Sequence, residues 1–514
     1  MRSTQKWLAL LGLVLACHQA AAAGKAARVV LIVWDGMRPD FVTPENTPAL
    51  CELAREGVTF LHHHPVYLSA TEVNGTALAT GVYPGQSGII GNNVFWPAID
   101  PDKPIETDAL AAVRKGDQVL PRHFIQYPTV AEILHARGLR TAVTGSKPVA
   151  LLHDRALRAE GDLNANVFAG ETLPADLKDK LYSALGRFPP AGADKMQQDQ
   201  WTTSALTGQL WKEGLPAYSL LWLAEPDFSQ HRAAPGSPAA IAAIRNSDRQ
   251  LARVLNVLKK KNLRETTDVI VVSDHGFSTI SDTVDVAATL NANGFRAYRA
   301  VPPEGAREGD VMVVCNWGSV FCYVKAPDQE RVEKLVHCLQ AQPFVGVLFS
   351  QRPVEGTFPL ADARLDGGAP PDVVAVMRWK ADANRYGAAG LIYSDTKTYP
   401  AGAGMHATLS ATDMHNICFA AGPDFARGMR DPLPSGNTDI APTLLWLLGV
   451  EPREKMSGRV LTEALTVAGP PIDRVQSEHK EASWKGEGFV WRQSLDWSTV
   501  NGVIYLDQGN GRQE

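Results

Sequence analysis

Positive charge is in short supply. The 50 Lys and Arg stand against 55 Asp and Glu, a formal net charge of −5 over 514 residues. No cluster of cations tracks a polyanion, so binding to nucleic-acid polymer is not expected; Lys259-Lys260-Lys261 reads as the solvated end of a helix. Cysteine is scarce too, with 6 in all and no Cys-x-x-Cys pair, which removes thiolate metal knuckles. Cys-x-Pro-x-Arg is missing, and with it sulfatase chemistry through formylglycine. Beyond the N-terminal segment no apolar run is long enough to span a bilayer. Internal repeats and heptads are absent.

With 45% hydrophobic and 20% charged residues, the composition is that of a globular chain with ample core. Residues 1–23 read as an export signal: Arg2 and Lys6 precede an apolar stretch, and Ala21-Ala22-Ala23 fits signal-peptidase cleavage. That predicts a periplasmic or secreted protein. Leu13-Val14-Leu15-Ala16-Cys17 partly resembles a lipobox, whose processing would instead leave a lipid anchor at Cys17. Of the remaining cysteines, Cys315 and Cys322 flank a Gly-containing turn and are the one pair with the placement for a disulfide; buried thiols are the alternative.

Acids and histidines far apart in sequence each follow an apolar run. Val29 to Trp34 ends in Asp35, Leu220 to Leu223 leads to Asp227-x-x-x-His231, and Val269 to Val272 leads to Asp274-His275. A Gly-rich loop delivers His406. Short apolar runs with polar tips read as buried parallel strands whose C-terminal ends open into a site. Helical patterns between them, notably 239–260, predict an α/β fold: a doubly wound, mostly parallel sheet with helices on both faces. Residues 151–211 read as a helical, polar excursion over the site. The expected boundaries are a catalytic domain at 24–470, with an inserted subdomain or cap at about 283–400, and a C-terminal β extension at 471–514 read as a hairpin or edge strands.

Gathered on one rim, three aspartates and three histidines suffice for two divalent metals. The i,i+4 spacing of Asp227 and His231 puts both on one face of a helical turn. Each residue also has a plain structural reading, as turn, cap or loop residue, and only their joint placement at strand ends argues otherwise. Thr71 opens a short helical segment, where backbone N–H groups favour an anion. A metal at its oxygen would make it a nucleophile. Asn74 is expected to aim its amide at the same phosphoryl oxygen. His62-His63-His64 and His415 read as surface or packing residues.

These motifs resemble the type I phosphodiesterase/nucleotide pyrophosphatase family of the alkaline phosphatase superfamily. The likeness runs in order through VVLIVWDGMRPD, a Thr71-x-x-Asn74 segment with ATGVYPGQSGIIGN, EPDFSQH, VVSDHGF, GMH and NTDIAPTLLWLLG. It implies an alkaline phosphatase-like fold and two zinc ions, although other divalent metals suit the same donors. Asp227, His231 and His406 would hold the first. Asp35, Thr71, Asp274 and His275 would surround the second, and Thr71 would carry a phospho-enzyme. The implied substrate is a small phosphoester, a phosphodiester or nucleotide pyrophosphate. Two departures matter. Glu72 replaces the aromatic that usually follows the nucleophile, and Ala407 replaces the usual glycine, tolerable if its φ stays negative. Lys147, just past a strand, resembles the substrate-gripping lysine of related phosphomonoesterases and phosphonate hydrolases, but Val149 stands where they carry a second basic residue, leaving Arg155 as the next candidate. A capping or solvated lysine is the other reading. A non-catalytic metal-binding envelope protein is the remaining alternative.

Overall fold

The computed structural model describes residues 24–190, 192, 194–467 and 472–514; residues 1–23, read above as an export signal or a lipobox ending at Cys17, lie outside the described residues. A nine-stranded sheet forms the frame. Its strands are β1 (Arg28–Trp34), β2 (Val58–His64), β3 (Thr141–Gly145), β4 (Ala165–Phe168), β5 (Glu171–Leu173), β6 (Tyr218–Leu223), β7 (Thr267–Val272), β8 (Cys418–Ala421) and β9 (Met429–Gly436). The order across the sheet is β9-β2-β8-β7-β1-β6-β3-β4-β5. The four strands β7, β1, β6 and β3 run parallel side by side, while β8 and β5 pair antiparallel with their neighbours. The chain leaves β1 toward one edge and reaches β6 on its other side, so the C-terminal end of β1 is a topological switch point.

Helices cover both faces, which is why β1 is an unbroken apolar run rather than an alternating one. On one face, helix Pro238–Lys260, capped by Ser237 accepting from the Ala240 N–H at 3.2 Å, presses Ile244, Leu251, Val254 and Leu258 onto β1 and β7. On the other, Ile440–Leu447 contributes Leu444, Leu445 and Leu447 to the core that holds Val29, Leu31 and Val33.

Residues 297–377 build a separate six-stranded sheet, with helix Gln329–Gln340 on one face. Its other face, through Phe321 and Phe349, packs on Ala70, Val73 and Ala77 around the helix Thr71–Thr80. That helix is therefore buried on all sides. Strand Ser278–Val284, directly after the Asp274-His275 tip, pairs with Ala389–Asp395 and with Gly404–Met405. The last pairing, Ser278 opposite Met405, brings His406 back beside His275.

Two expectations change, and the expected C-terminal β extension is present with one strand more than a hairpin. Residues 151–211 are not simply a helical excursion, because Ala165–Phe168 and Glu171–Leu173 extend the central sheet at its edge. The C-terminal segment is three long antiparallel strands, Gln476–Lys485, Val490–Val500 and Val503–Gln513, the first of them too polar to be read as a strand. Cys315 and Cys322 are free thiols: their strands pair Cys315 with Val320 and Cys322 with Val313, so neither cysteine faces the other.

Candidate active site

Register puts the acids together. Asp35 follows Trp34, which lies opposite Leu223 of β6, and Val33 lies opposite Val272 of β7. The tips of three adjacent parallel strands thus deliver Asp35, Asp227 and Asp274 to one rim, and all three are buried. Asp227 begins helix Asp227–Ala233, whose first turn places His231 on the same face, with its Nε2 3.1 Å from Asp227 Oδ1. His406 Nε2 lies 3.6 Å from that same oxygen. His275 stacks on His406 with ring centroids 3.7 Å apart, and its Nε2 stands 3.3 Å from Asp274 Oδ2 and 3.7 Å from Asp35 Oδ1.

The three imidazoles share one orientation device. Each Nδ1 faces a backbone carbonyl: His231 that of Gly404 at 3.1 Å, His275 that of Gly276 at 2.8 Å, His406 that of Ser69 at 2.8 Å. A carbonyl only accepts, so Nδ1 carries the proton and Nε2 turns its lone pair inward, the arrangement typical of metal-ligating histidine. Asp35 Oδ1, Asp227 Oδ1 and Asp274 Oδ2 are buried and accept no hydrogen bond. Buried carboxylate oxygens facing bare imidazole nitrogens would repel; a divalent cation turns both into ligands. Ligand atoms of Asp227, His231 and His406 lie within 4.8 Å of one another, as do those of Asp35, Asp227 and His275. The donors present therefore fit divalent ions, with Asp227 reaching both groups.

Thr71, at the first turn of its helix, points Oγ1 to 3.3 Å from His275 Nε2. Lys147, two residues past β3, sets its ammonium 2.9 Å from both Asp35 Oδ2 and Asp227 Oδ2 and 3.4 Å from Thr71 Oγ1. Burial alone would lower its pKa, but the Asp227 and Asp35 carboxylates hold it well above the usual lysine range. Burial raises the Asp274 carboxyl to about 7, and burial with neighbouring Asp274 raises that of Asp35. Burial, reinforced by His275 and His231, holds His406 well below the usual histidine range.

Asn74 is a correction. Its Nδ2 donates to the carbonyls of Val66, Leu68 and Ala70 at 2.9–3.1 Å, and its Oδ1 accepts from the Val66 N–H and from Asn437. The amide is consumed in shaping the turn before Thr71 and has none left for an oxyanion. Asn92, the last residue of the ATGVYPGQSGIIGN motif, was the missed signal. Its Oδ1 accepts the Glu72 N–H at 3.2 Å, and its Nδ2 has no partner among the described residues. Trp222 was missed as well: its indole donates to Asp35 Oδ2 at 2.8 Å. Tyr399 stacks on His231 at 5.1 Å, a contact with no local motif. Arg155 does not supply a second basic grip, because it is tied to Asp117 at 3.3 Å and Glu132 at 2.8 Å. Glu72 is buried beside Asp108, and burial with that neighbour raises its pKa. Ala407 adopts φ +72°, against the expectation of a negative angle; its N–H is held by the Ser69 carbonyl at 3.1 Å and its own carbonyl by Ser319.

The family model for type I phosphodiesterase / nucleotide pyrophosphatase matches residues 29–380. The chain belongs to this family. Among curated relatives, a venom phosphodiesterase of Naja atra is 24% identical over 258 residues, 49% of this chain and 26% of that protein. A bis(5'-adenosyl)-triphosphatase of Xenopus laevis is 24% identical over 259 residues, 50% of this chain and 48% of that protein. The chain thus spans between a quarter and a half of the length of these relatives. The solved human ectonucleotide pyrophosphatase / phosphodiesterase 5 superposes with a TM-score of 0.60 at 18% identity, covering 86% of this chain and all of that one. The murine counterpart, solved as an inactive variant in complex with AMP, gives 0.60 at 17%, covering 85% of this chain and 100% of that one. This likeness shows the shared fold.

Proposed function

We propose that the chain is an exported phosphohydrolase that cleaves phosphodiester or nucleotide pyrophosphate bonds through a threonyl-phosphate intermediate. The observation that carries this is the placement of Thr71 Oγ1 3.3 Å from His275 Nε2, within a ring of tautomer-fixed imidazoles and donor-less carboxylate oxygens. Asp227, His231 and His406 would hold one divalent ion, and Asp35, Asp274, His275 and Thr71 a second; zinc suits the mixed N/O set. Bound there, the ions supply Lewis acidity at the phosphoryl group and lower the pKa of the attacking hydroxyl and water.

Thr71 attacks phosphorus, its own P–O bond forming as the bond to the leaving alkoxide or phosphate breaks; the hydroxyl proton of Thr71 leaves to solvent and the departing oxygen takes one from solvent. A water then displaces Thr71 and returns its oxygen a proton. Asn92 Nδ2 is the free donor for an equatorial oxygen, oriented by its contact with the Glu72 N–H. A nucleotide substrate is supported by the AMP complex of the murine relative. Export rests on the character of residues 1–23, with Cys17 lipidation as the alternative processing; the mass of the mature N-terminus separates them. Among the described residues no helix is long and apolar enough to cross a membrane.

A phosphomonoesterase or phosphonate hydrolase is the second reading, favoured by Lys147 standing 3.4 Å from the nucleophile. The commitment of Arg155 elsewhere weighs against it. The test is kcat/KM with zinc for bis-p-nitrophenyl phosphate against p-nitrophenyl phosphate, with Thr71→Ala alongside. Diester preference supports the first reading and monoester preference the second. Thr71→Ala abolishes turnover while metal content is retained; residual wild-type-like turnover overturns the nucleophile.

A further inference from the structure

A second cluster of metal-ligating side chains lies outside this site. His64 is the last residue of β2, His415 sits in the loop before β8, and Asp507 belongs to the C-terminal strand Val503–Gln513. One ligand atom from each lies within 4.8 Å of the others. His64 Nε2 is 2.9 Å from Asp507 Oδ1, and the two imidazole centroids are 4.7 Å apart.

The orientation device of the catalytic histidines recurs here. His64 Nδ1 faces the Ser435 carbonyl at 3.1 Å, and His415 Nδ1 the Ala411 carbonyl at 2.9 Å. In the neutral rings both Nε2 atoms are therefore acceptors, and that of His64 is aimed at a carboxylate oxygen that also only accepts. A divalent cation converts these opposed lone pairs into ligands. Asp507 is itself oriented: its Oδ2 accepts from Ser498 Oγ at 2.9 Å. The imidazole of His64 is buried at 1% exposure, while the Asp507 side chain is 27% exposed, so the cluster is anchored on one side and open to solvent on the other.

We propose that His64, His415 and Asp507 form a separate metal centre taking one zinc-type divalent cation, which clamps the C-terminal sheet onto the catalytic domain. Two imidazoles and one carboxylate leave a coordination position for water, and this borderline donor set selects zinc, cobalt or copper over magnesium or calcium. The centre acts on the active site by position. Next to His64, His63 Nε2 meets Asn437 Oδ1 at 3.0 Å, and Asn437 Nδ2 donates to the Asp274 carbonyl at 2.7 Å and to Asn74 Oδ1 at 2.9 Å. Next to His415, Asn416 donates to the Ser273 carbonyl. The clamp thus supports the backbone that carries Asp274 and the turn that carries Thr71 without touching substrate.

The test is metal content of the full-length mature protein, equilibrated with zinc and measured by mass spectrometry, for wild type, Asp507→Ala and His415→Gln. Each variant is expected to hold one zinc fewer per chain than wild type, whatever number the catalytic centre binds. Its thermal midpoint in zinc falls, and the midpoints in excess chelator converge. Equal zinc content in wild type and both variants overturns the proposal. Should the variants fail to fold, zinc-edge anomalous scattering from wild-type crystals grown with zinc decides: a peak among the three side chains supports the centre, and its absence at saturating zinc overturns it.

Discussion

Replacing Lys147 with Met separates two roles for one ammonium. The side chain touches two carboxylates of the candidate metal site, so its loss alters metal affinity for every substrate alike. Its 3.4 Å approach to Thr71 Oγ1 would also bring it within reach of a phosphoryl group attacked by that oxygen. A monoester at pH ~8 carries one more negative charge than a diester. One extra unit charge at ~4 Å interacts by ~4 kcal/mol at an effective dielectric constant of ~20. The Lys147 side chain is 22% exposed, and solvent screening halves this to ~2 kcal/mol, a factor of about 30. The assay is kcat/KM for p-nitrophenyl phosphate divided by that for bis-p-nitrophenyl phosphate, in wild type and Lys147→Met with saturating zinc. The quotient cancels the metal effect, and it is expected to fall roughly 30-fold in the variant. An equal fall for both substrates would refute substrate contact and leave Lys147 as a counter-charge to Asp35 and Asp227.

Other changes test the scaffold. Buried Asp413 accepts from Ser278 Oγ at 2.6 Å, Thr408 Oγ1 at 2.5 Å and the Thr408 N–H at 3.0 Å, holding the loop that follows His406. Asp413→Ala strands these donors and should cost ~3 kcal/mol in urea unfolding; a loss below ~1 kcal/mol would contradict it. In Gly276→Ala the new Cβ would sit 2.0 Å from the Thr412 carbonyl oxygen, so His275 must shift, and metal content and turnover should drop together. Unchanged zinc binding by that variant would show that the loop yields instead. Burial, with Asp424 adding, raises the Asp268 carboxyl from 3.8 to about 8. Its folded state therefore holds a proton more tightly, a contribution present below pH ~4 and lost as pH rises through ~8. Asp268→Asn should accordingly gain stability relative to wild type between pH 5 and pH 8 in denaturant titrations, and parallel pH profiles would refute this.

Much of the site was legible because strand tips are local. An apolar run ending in a polar residue signals a buried strand and its opening end, as with Asp35, Asp227 and Asp274, and i,i+4 spacing carries His231 with Asp227. Amide roles were not legible. Asn74 and Asn92 are both asparagines close to Thr71, and only the turn of carbonyls at Val66, Leu68 and Ala70 decides which one is consumed. The C-terminal strand 476–485 escaped for a similar reason: its polar residues gain strand structure from pairing along Val490–Val500 rather than from a buried face.

The amino-acid sequence by itself determined the parallel α/β frame, the acids and histidines at its strand ends, and the place of Thr71 at a helix start, since each follows from local periodicity and short-range backbone geometry. Tertiary structure alone decided that His406 returns beside His275, that Lys147 reaches three partners at once, and that His64, His415 and Asp507 meet. These contacts join segments between 76 and 443 residues apart through strand register and packing. A side chain's chemistry there depends on which lone pairs its distant neighbours leave open, and no local pattern encodes that.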